Sequence, residues 1–171
     1  MKSWLYAALI LFAVPLQTTV LGNLSLRNVE PDLVLVAVVL IGFLCGELEG
    51  ALMGVAMGFV QDLFSAGVAF PNLITKGMMG IVAGLIGQQV VRITPLVVLV
   101  SGVLLSTGSG MAFLYLARGR AIWDAILAVP TLVLPQAILD GVLAAGGFWG
   151  ITALLPVIGG QALFMGRHSR F

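Results

Sequence analysis

The chain has 171 residues, 60% of them apolar and 9% charged, with a formal charge of +1 at neutral pH. Soluble domains carry about 25% charged residues, so the composition excludes an ordinary soluble domain and points to a polytopic membrane protein; without any basic run it also excludes nucleic acid as a partner. A single cysteine, Cys45, and a single histidine, His168, exclude an internal disulfide and leave a zinc or iron site nothing to build on.

Crossing a bilayer takes about 20 apolar residues in a helix. Six segments come near that, at about 4–21, 32–45, 48–63, 73–91, 95–117 and 136–160, so the expected fold is all-α, one integral membrane domain over residues 1–171. The first segment carries Trp4 and Tyr6, suited to the head-group layer. It resembles a secretion signal but lacks a small-residue cleavage site, and is read as a retained first span. The second opens at Glu30-Pro31-Asp32, with proline expected in the first helical turn and a carboxylate complementing the helix dipole.

A single helix from Pro31 to Phe64 would extend about 50 Å, so a tight hairpin is expected at Gly46-Glu47-Leu48-Glu49-Gly50. Glu47 and Glu49 read either as hairpin residues in water or as part of a proton or cation path. The third segment carries glycine at every fourth position, Gly46, Gly50, Gly54 and Gly58, and the next step is Asp62. Each glycine costs a helix about 1 kcal/mol relative to alanine. In a membrane that loss is offset by close backbone approach of a second helix. Steps of four overshoot a full turn by about 40°, so the row winds around the helix and is expected to be shared between neighbours; with a second glycine row on the fourth segment at least two close contacts are expected, one internal and the other intermolecular.

A loop over Ser65–Asn72 leads to the fourth segment, where Gly77, Gly80, Gly84 and Gly87 lie on one side of a helix. Met53, Met57, Met78 and Met79 suit irregular gaps beside flat glycine surfaces. The fifth segment starts at Pro95 and contains Ser101, Ser106, Thr107 and Ser109. Between 121 and 135, Trp123, Asp124, Pro130 and Pro135 predict a short interfacial helix and a turn. The sixth segment begins near Gln136, is expected to break at Gly146-Gly147 and Pro156, and leads to Arg167-His168-Ser169-Arg170. Lys2, Arg92, Arg167 and Arg170 on one side, against Arg27, Arg118 and Arg120 on the other, bias both termini weakly to the cytoplasm.

No phosphate-binding loop, H-E-x-x-H or G-x-S-x-G occurs, so the chain reads as a non-enzyme without a cofactor. Ionisable residues in apolar surroundings are the remaining candidates, because such groups are expensive in a membrane and normally have a role. Asp62, Lys76 and Asp140 are of this kind. Asp62 and Lys76 should approach the same membrane face, where they form an ion pair or share a polar cluster. The other reading is that both reach the interface, Lys76 by snorkelling.

Pro31-Asp32 before a run of Leu and Val, then a short break, then G-x-x-x-G-x-x-x-G-F-x-x-D at Gly50, Gly54, Gly58, Phe59 and Asp62, then a second glycine-spaced helix, resembles the MreD family of rod shape-determining membrane proteins. Length and the six-span pattern fit, and residues 31 to 87 carry the specific part. The resemblance implies a component of the bacterial inner membrane, in the cell-elongation machinery for peptidoglycan. It would bind the single-span coiled-coil protein MreC and act with the MreB filament and with RodA and its penicillin-binding partner. The family is similar in fold to the substrate-binding subunits of energy-coupling-factor transporters. One departure is the hairpin after the second segment, acidic here where the family commonly has a basic residue.

Two functions follow as expectations. One is a scaffold whose glycine-packed helices present a surface to membrane lipid and to a partner, with self-association left open. The other is a small-molecule (vitamin) binding subunit of a transporter. That role needs a pocket with several polar groups, whereas the outer loops offer only Asn72, Trp123 and Gln136. The Ala-x-x-x-Ala docking signature of such subunits is not formed by Ala7, Ala8 and Ala13.

Overall fold

The computed structural model describes Ile10, Pro15, Gln17 and residues 30–64, 70–90, 93–118, 126–127 and 129–154. The described residues are all-α. Five α-helices run in the order α1 (Leu33–Cys45), α2 (Glu47–Phe64), α3 (Pro71–Gln89), α4 (Pro95–Arg118) and α5 (Leu134–Leu154), with a π-helical turn at Val129–Val133 leading into α5. Two helical segments, Pro95–Leu116 and Val129–Leu154, are long and apolar enough to cross a membrane. The expected segment at 4–21 falls outside the described residues except for Ile10, Pro15 and Gln17, as do Trp123, Asp124 and the basic tail.

The short helix α1 is central because it is apolar on every side. Val34 and Val38 pack with Met53 and Met57 of α2. On a second side Leu35, Val39 and Phe43 meet Ala83 of α3 and Leu105 of α4. On the third, Val36 and Leu40 meet Val98 of α4 and Ala144 and Phe148 of α5. Of the methionines named above, Met53 and Met57 are core residues, whereas Met78 is exposed.

The joint between α1 and α2 is tighter than the expected five-residue hairpin. Gly46 alone separates the helices, at φ 105° and ψ 178°, a conformation essentially restricted to glycine. Glu47 and Glu49 therefore stand in the first turn of α2, where carboxylates complement the helix dipole. Gly146-Gly147 does not interrupt α5 either, which runs unbroken from Leu134 to Leu154. A Cβ on Gly147 would come within 3.0 Å of Leu40 Cδ1, so this glycine admits α1, while Gly146 and Gly150 face open space. Pro135 has no N–H for the preceding turn, and that turn is the widened one at Val129–Val133.

The α2–α3 pair has the closest backbone packing. A Cβ on Gly50 would lie 2.5 Å from the Gly80 carbonyl oxygen, one on Gly58 2.5 Å from the Asn72 carbonyl oxygen, and one on Gly54 would overlap the Lys76 carbonyl. From the α3 side, Gly77 meets Val55, Gly80 meets Gly50, Gly84 meets Gly46 and Glu47, and Gly87 meets Phe43. The register is antiparallel, each step of four along α2 matched by about four back along α3. Every helical glycine of the row meets α3, and the sharing between neighbours that the winding argument expects is confined to Gly50, where a Cβ would also lie 2.8 Å from Gly42 Cα of α1. Rows of i, i+4 residues are inclined by about 26° to the helix axis, so a helix crossing at an angle can follow one throughout. Gly42 of α1 also joins this contact, with a Cβ there 2.8 Å from the Gly80 carbonyl oxygen.

Candidate functional site: a buried polar node

The polar residues of the described chain converge where α1 begins and the α2–α3 hairpin closes. Asp32 is the N-cap of α1, its Oδ1 accepting from Leu35 N at 3.0 Å. Capping of this kind satisfies a backbone donor that the helix leaves orphaned. Pro31 lies just before the cap, not within the first turn. Gln17 braces the same end, donating from Nε2 to Asp32 Oδ1 at 3.1 Å and accepting from Val34 N at 2.9 Å.

Lys76 reaches this cap from α3. Its Nζ lies 2.8 Å from Asp32 Oδ2, donates to Gln61 Oε1 in the last turn of α2, and lies 3.3 Å from Asn72 Oδ1. Its side chain is fully buried, so it does not snorkel to the surface. Lys76 thus pairs with Asp32, and the sequence-based pairing with Asp62 is corrected in this respect. Asp62 serves the start of α3 instead, Oδ1 accepting from Asn72 N at 3.2 Å and Asn72 Nδ2 at 2.8 Å, and Oδ2 from Leu73 N at 2.9 Å. Asn72 connects the two systems, donating to Asp62 and accepting from Lys76.

Helix α3 needs that help because its own N-cap residue is Phe70, which makes no side-chain cap bond and has φ 79°. A bulky residue in the left-handed region is unfavourable. Phe70 is held there by stacking on Phe59, with ring centroids 6.3 Å apart and planes 7° from parallel. Phe59 and Asp62, three residues apart on α2, thus both fasten the beginning of α3.

On the other side of Asp32 lies Asp140 of α5, which accepts from the Asp32 backbone N at 2.7 Å and from Ser106 Oγ of α4 at 2.5 Å. Asp140 is 2% exposed and Ser106 4%. The node therefore ties all five helices and Gln17 into one hydrogen-bonded system. Among the described residues, no buried side-chain nitrogen or oxygen lacks a partner, which is the condition for such a network to rigidify a core. Removing the Ser106 hydroxyl takes a donor from a buried carboxylate. Ser106→Ala is expected to cost ~1–3 kcal/mol, visible as a lower melting temperature in detergent; an unchanged melting curve would contradict the assigned bond.

Beside Asp140, between α1, α4 and α5, the packing leaves a shallow crevice with no room for a water molecule, lined by Leu35, Val36, Val39, Gly102 and Ala144 with Ser106 and Asp140 at its polar end. Its polar lining residues are bonded to each other. No family model, curated protein or solved structure matches the chain.

The arrangement is inside-out. Lys76, Asp140, Asn72, Thr75, Ser101, Ser106 and Ser109 are buried, while Leu48, Leu52, Leu63, Ile74, Met78, Leu96, Leu104, Leu127 and Trp149 are exposed. Water selects the opposite distribution. The glycine row and Asp62 were visible from spacing, and Asp32 from its place beside Pro31 at the head of an apolar segment. Gln17, Gln61, Asn72 and Ser106 carried no signal in the sequence beyond being polar residues in or beside apolar segments, the signal that did single out Asp140.

Proposed function

We propose that this chain is a non-enzymatic, multi-pass scaffold of the bacterial inner membrane, of the MreD type, that binds MreC and supports rod cell shape within the cell-elongation complex. The inside-out distribution carries the membrane part of the reading. A bilayer solvates exposed Leu, Ile and Trp and drives Lys76 and Asp140 inward to find partners. The MreD part rests on the motif residues, which share one architectural role in the fold. Pro31-Asp32 opens and caps α1, Gly50, Gly54 and Gly58 seat α3, and Phe59 and Asp62 fasten its first turn.

A scaffold needs a rigid body with an outward apolar surface, and the node and the glycine seam supply rigidity, every buried side-chain nitrogen and oxygen among the described residues having a partner. The transporter-subunit reading is less well supported. Ligand pockets for drug-sized molecules occupy about 300–1,000 Å³, whereas the crevice beside Asp140 does not admit a water molecule. In this reading both termini lie on the cytoplasmic side, as the weak bias of lysine and arginine suggests, and the α2–α3 connection lies at the periplasmic face.

The test is co-expression of the tagged full chain with its cognate single-span coiled-coil protein, followed by detergent extraction and capture, in cells whose own copy is depleted. Co-capture at near-stoichiometric yield and return of rod shape are expected. Capture of the chain alone, together with cells that remain round, would overturn the scaffold reading.

A further inference from the structure

We infer that α2 and α3 enter the membrane together as a hairpin, and that Asp32, already in place at the head of α1, is the group that admits the charge of Lys76. The inference rests on the membrane reading above and concerns how that architecture is assembled.

Three observations lead to it. Neither hairpin helix is among the described segments apolar enough to cross a membrane unaided. α2 carries Glu47, Glu49 and Asp62, and α3 carries Asn72, Thr75, Lys76, Gln88 and Gln89. Secondly, much of this polarity is cancelled within the pair. Asp62 takes the first backbone donors of α3 and Asn72, and Lys76 donates to Gln61. The glycine seam closes the same face, so the pair turns outward Leu48, Leu52 and Leu63 from α2 and Ile74, Met78 and Leu85 from α3. The hairpin is compatible with lipid where each helix alone is not.

Thirdly, the pair cannot neutralise Lys76 by itself. Gln61 and Asn72 offer it neutral oxygens, and its ion-pair partner among the described residues, Asp32, precedes both helices in the chain. Asp32 is held by Leu35 N and Gln17, with Asp140 bonded to its backbone from α5. An acceptor made before its lysine is in position when the hairpin arrives. Without it, a buried ammonium group opposes entry.

The test uses the full chain in a Cys45→Ser background, with a single probe cysteine at Phe64→Cys, beside the turn of the hairpin, or Val90→Cys, at its open end. Labelling with a membrane-impermeant maleimide reports the side of each probe. In the otherwise native chain the probes label from opposite sides. Asp32→Leu is expected to raise at least threefold the share of Phe64→Cys chains that label from the side of Val90. Asp32→Leu/Lys76→Leu returns that share to the native level. The same variants, synthesised in a cell-free system with inverted membrane vesicles and read by protease protection, report entry before any degradation.

Native sidedness in Asp32→Leu by both readouts overturns the inference. A double variant as misplaced as the single one also overturns it, since the effect then does not come from the unpaired lysine. Probes on one side in the native chain would instead overturn the membrane reading, a separate outcome from failure of MreC capture.

Discussion

Gly54→Leu is expected to separate α2 from α3 and abolish recovery of the folded chain. A Cβ at this position would overlap the carbonyl of Lys76 and come within 3.0 Å of Gly77 Cα, so the obstacle is backbone, which cannot rotate aside. Overpacking a well-filled site costs ~1–3 kcal/mol when side chains can adjust, and here the adjustment must come from displacement of a whole helix. The shift would pull Lys76 away from Asp32 and the first turn of α3 away from Asp62, so the loss extends beyond the contact itself. Against a total stability of ~5–15 kcal/mol typical of folded domains, this is a large fraction. Size-exclusion profile and melting temperature in detergent are the readouts. Gly146→Leu is the control, because a side chain there meets open space, and it should leave both unchanged. A monodisperse Gly54→Leu chain with native melting would remove the seam from the account of stability.

The second large effect belongs to the ion pair, and it should be asymmetric. Asp32→Ala leaves the Lys76 ammonium buried among neutral oxygens, and breaking a buried pair in this way costs ~3–5 kcal/mol. It also removes the cap of α1, for a further ~0.5–2 kcal/mol. Lys76→Met should be milder, since Asp32 keeps the Leu35 backbone N–H and the Gln17 amide as donors. The double variant Asp32→Ala/Lys76→Met should then be less damaged than the sum of the singles, because no unpaired ammonium is left. Unfolding in detergent across this mutant cycle measures the coupling. Because the pair is buried, the ranking should persist at high salt, where exposed pairs are screened. Equal losses in the two single variants, adding in the double, would refute the pairing.

Legibility in the sequence followed the range of the interaction. Gly50, Gly54 and Gly58 announce a close helix contact because the spacing that reveals them is also the spacing of one helix face. Their partner, α3, is the next element in the chain, so the contact was within reach of the same reasoning. The expected sharing of the row is met within the chain at Gly50, where α1 joins α3, and α3 follows the whole row because a crossing helix can track residues inclined to the axis. The partner of Lys76 was less accessible. Asp62 is nearer in the chain and ends the adjoining helix, but its oxygens are taken by Asn72 and Leu73, donors that exist only once α3 has started at Pro71. Asp32 lies 44 residues before Lys76, and only tertiary packing brings α1 between the hairpin and α5. Ser106 was one of several hydroxyls on α4, and nothing local distinguishes it from Ser101 or Ser109. The continuity of α5 through Gly146-Gly147 was likewise hidden, since glycine weakens a helix by about 1 kcal/mol per residue but does not by itself end one.

The single-residue joint at Gly46 has a consequence for how this chain can vary. A loop of several residues absorbs an insertion by bulging, whereas a one-residue joint passes it on as rotation. Adding one residue between Cys45 and Glu47 would turn α2 by about 100° relative to α1, carrying Gly50, Gly54 and Gly58 out of phase with α3 and aiming bulky neighbours at its backbone. The joint acts as a phase lock: length is invariant there although nothing chemical happens at it. Among related chains, gaps and tags should be tolerated elsewhere before they are tolerated at residue 46.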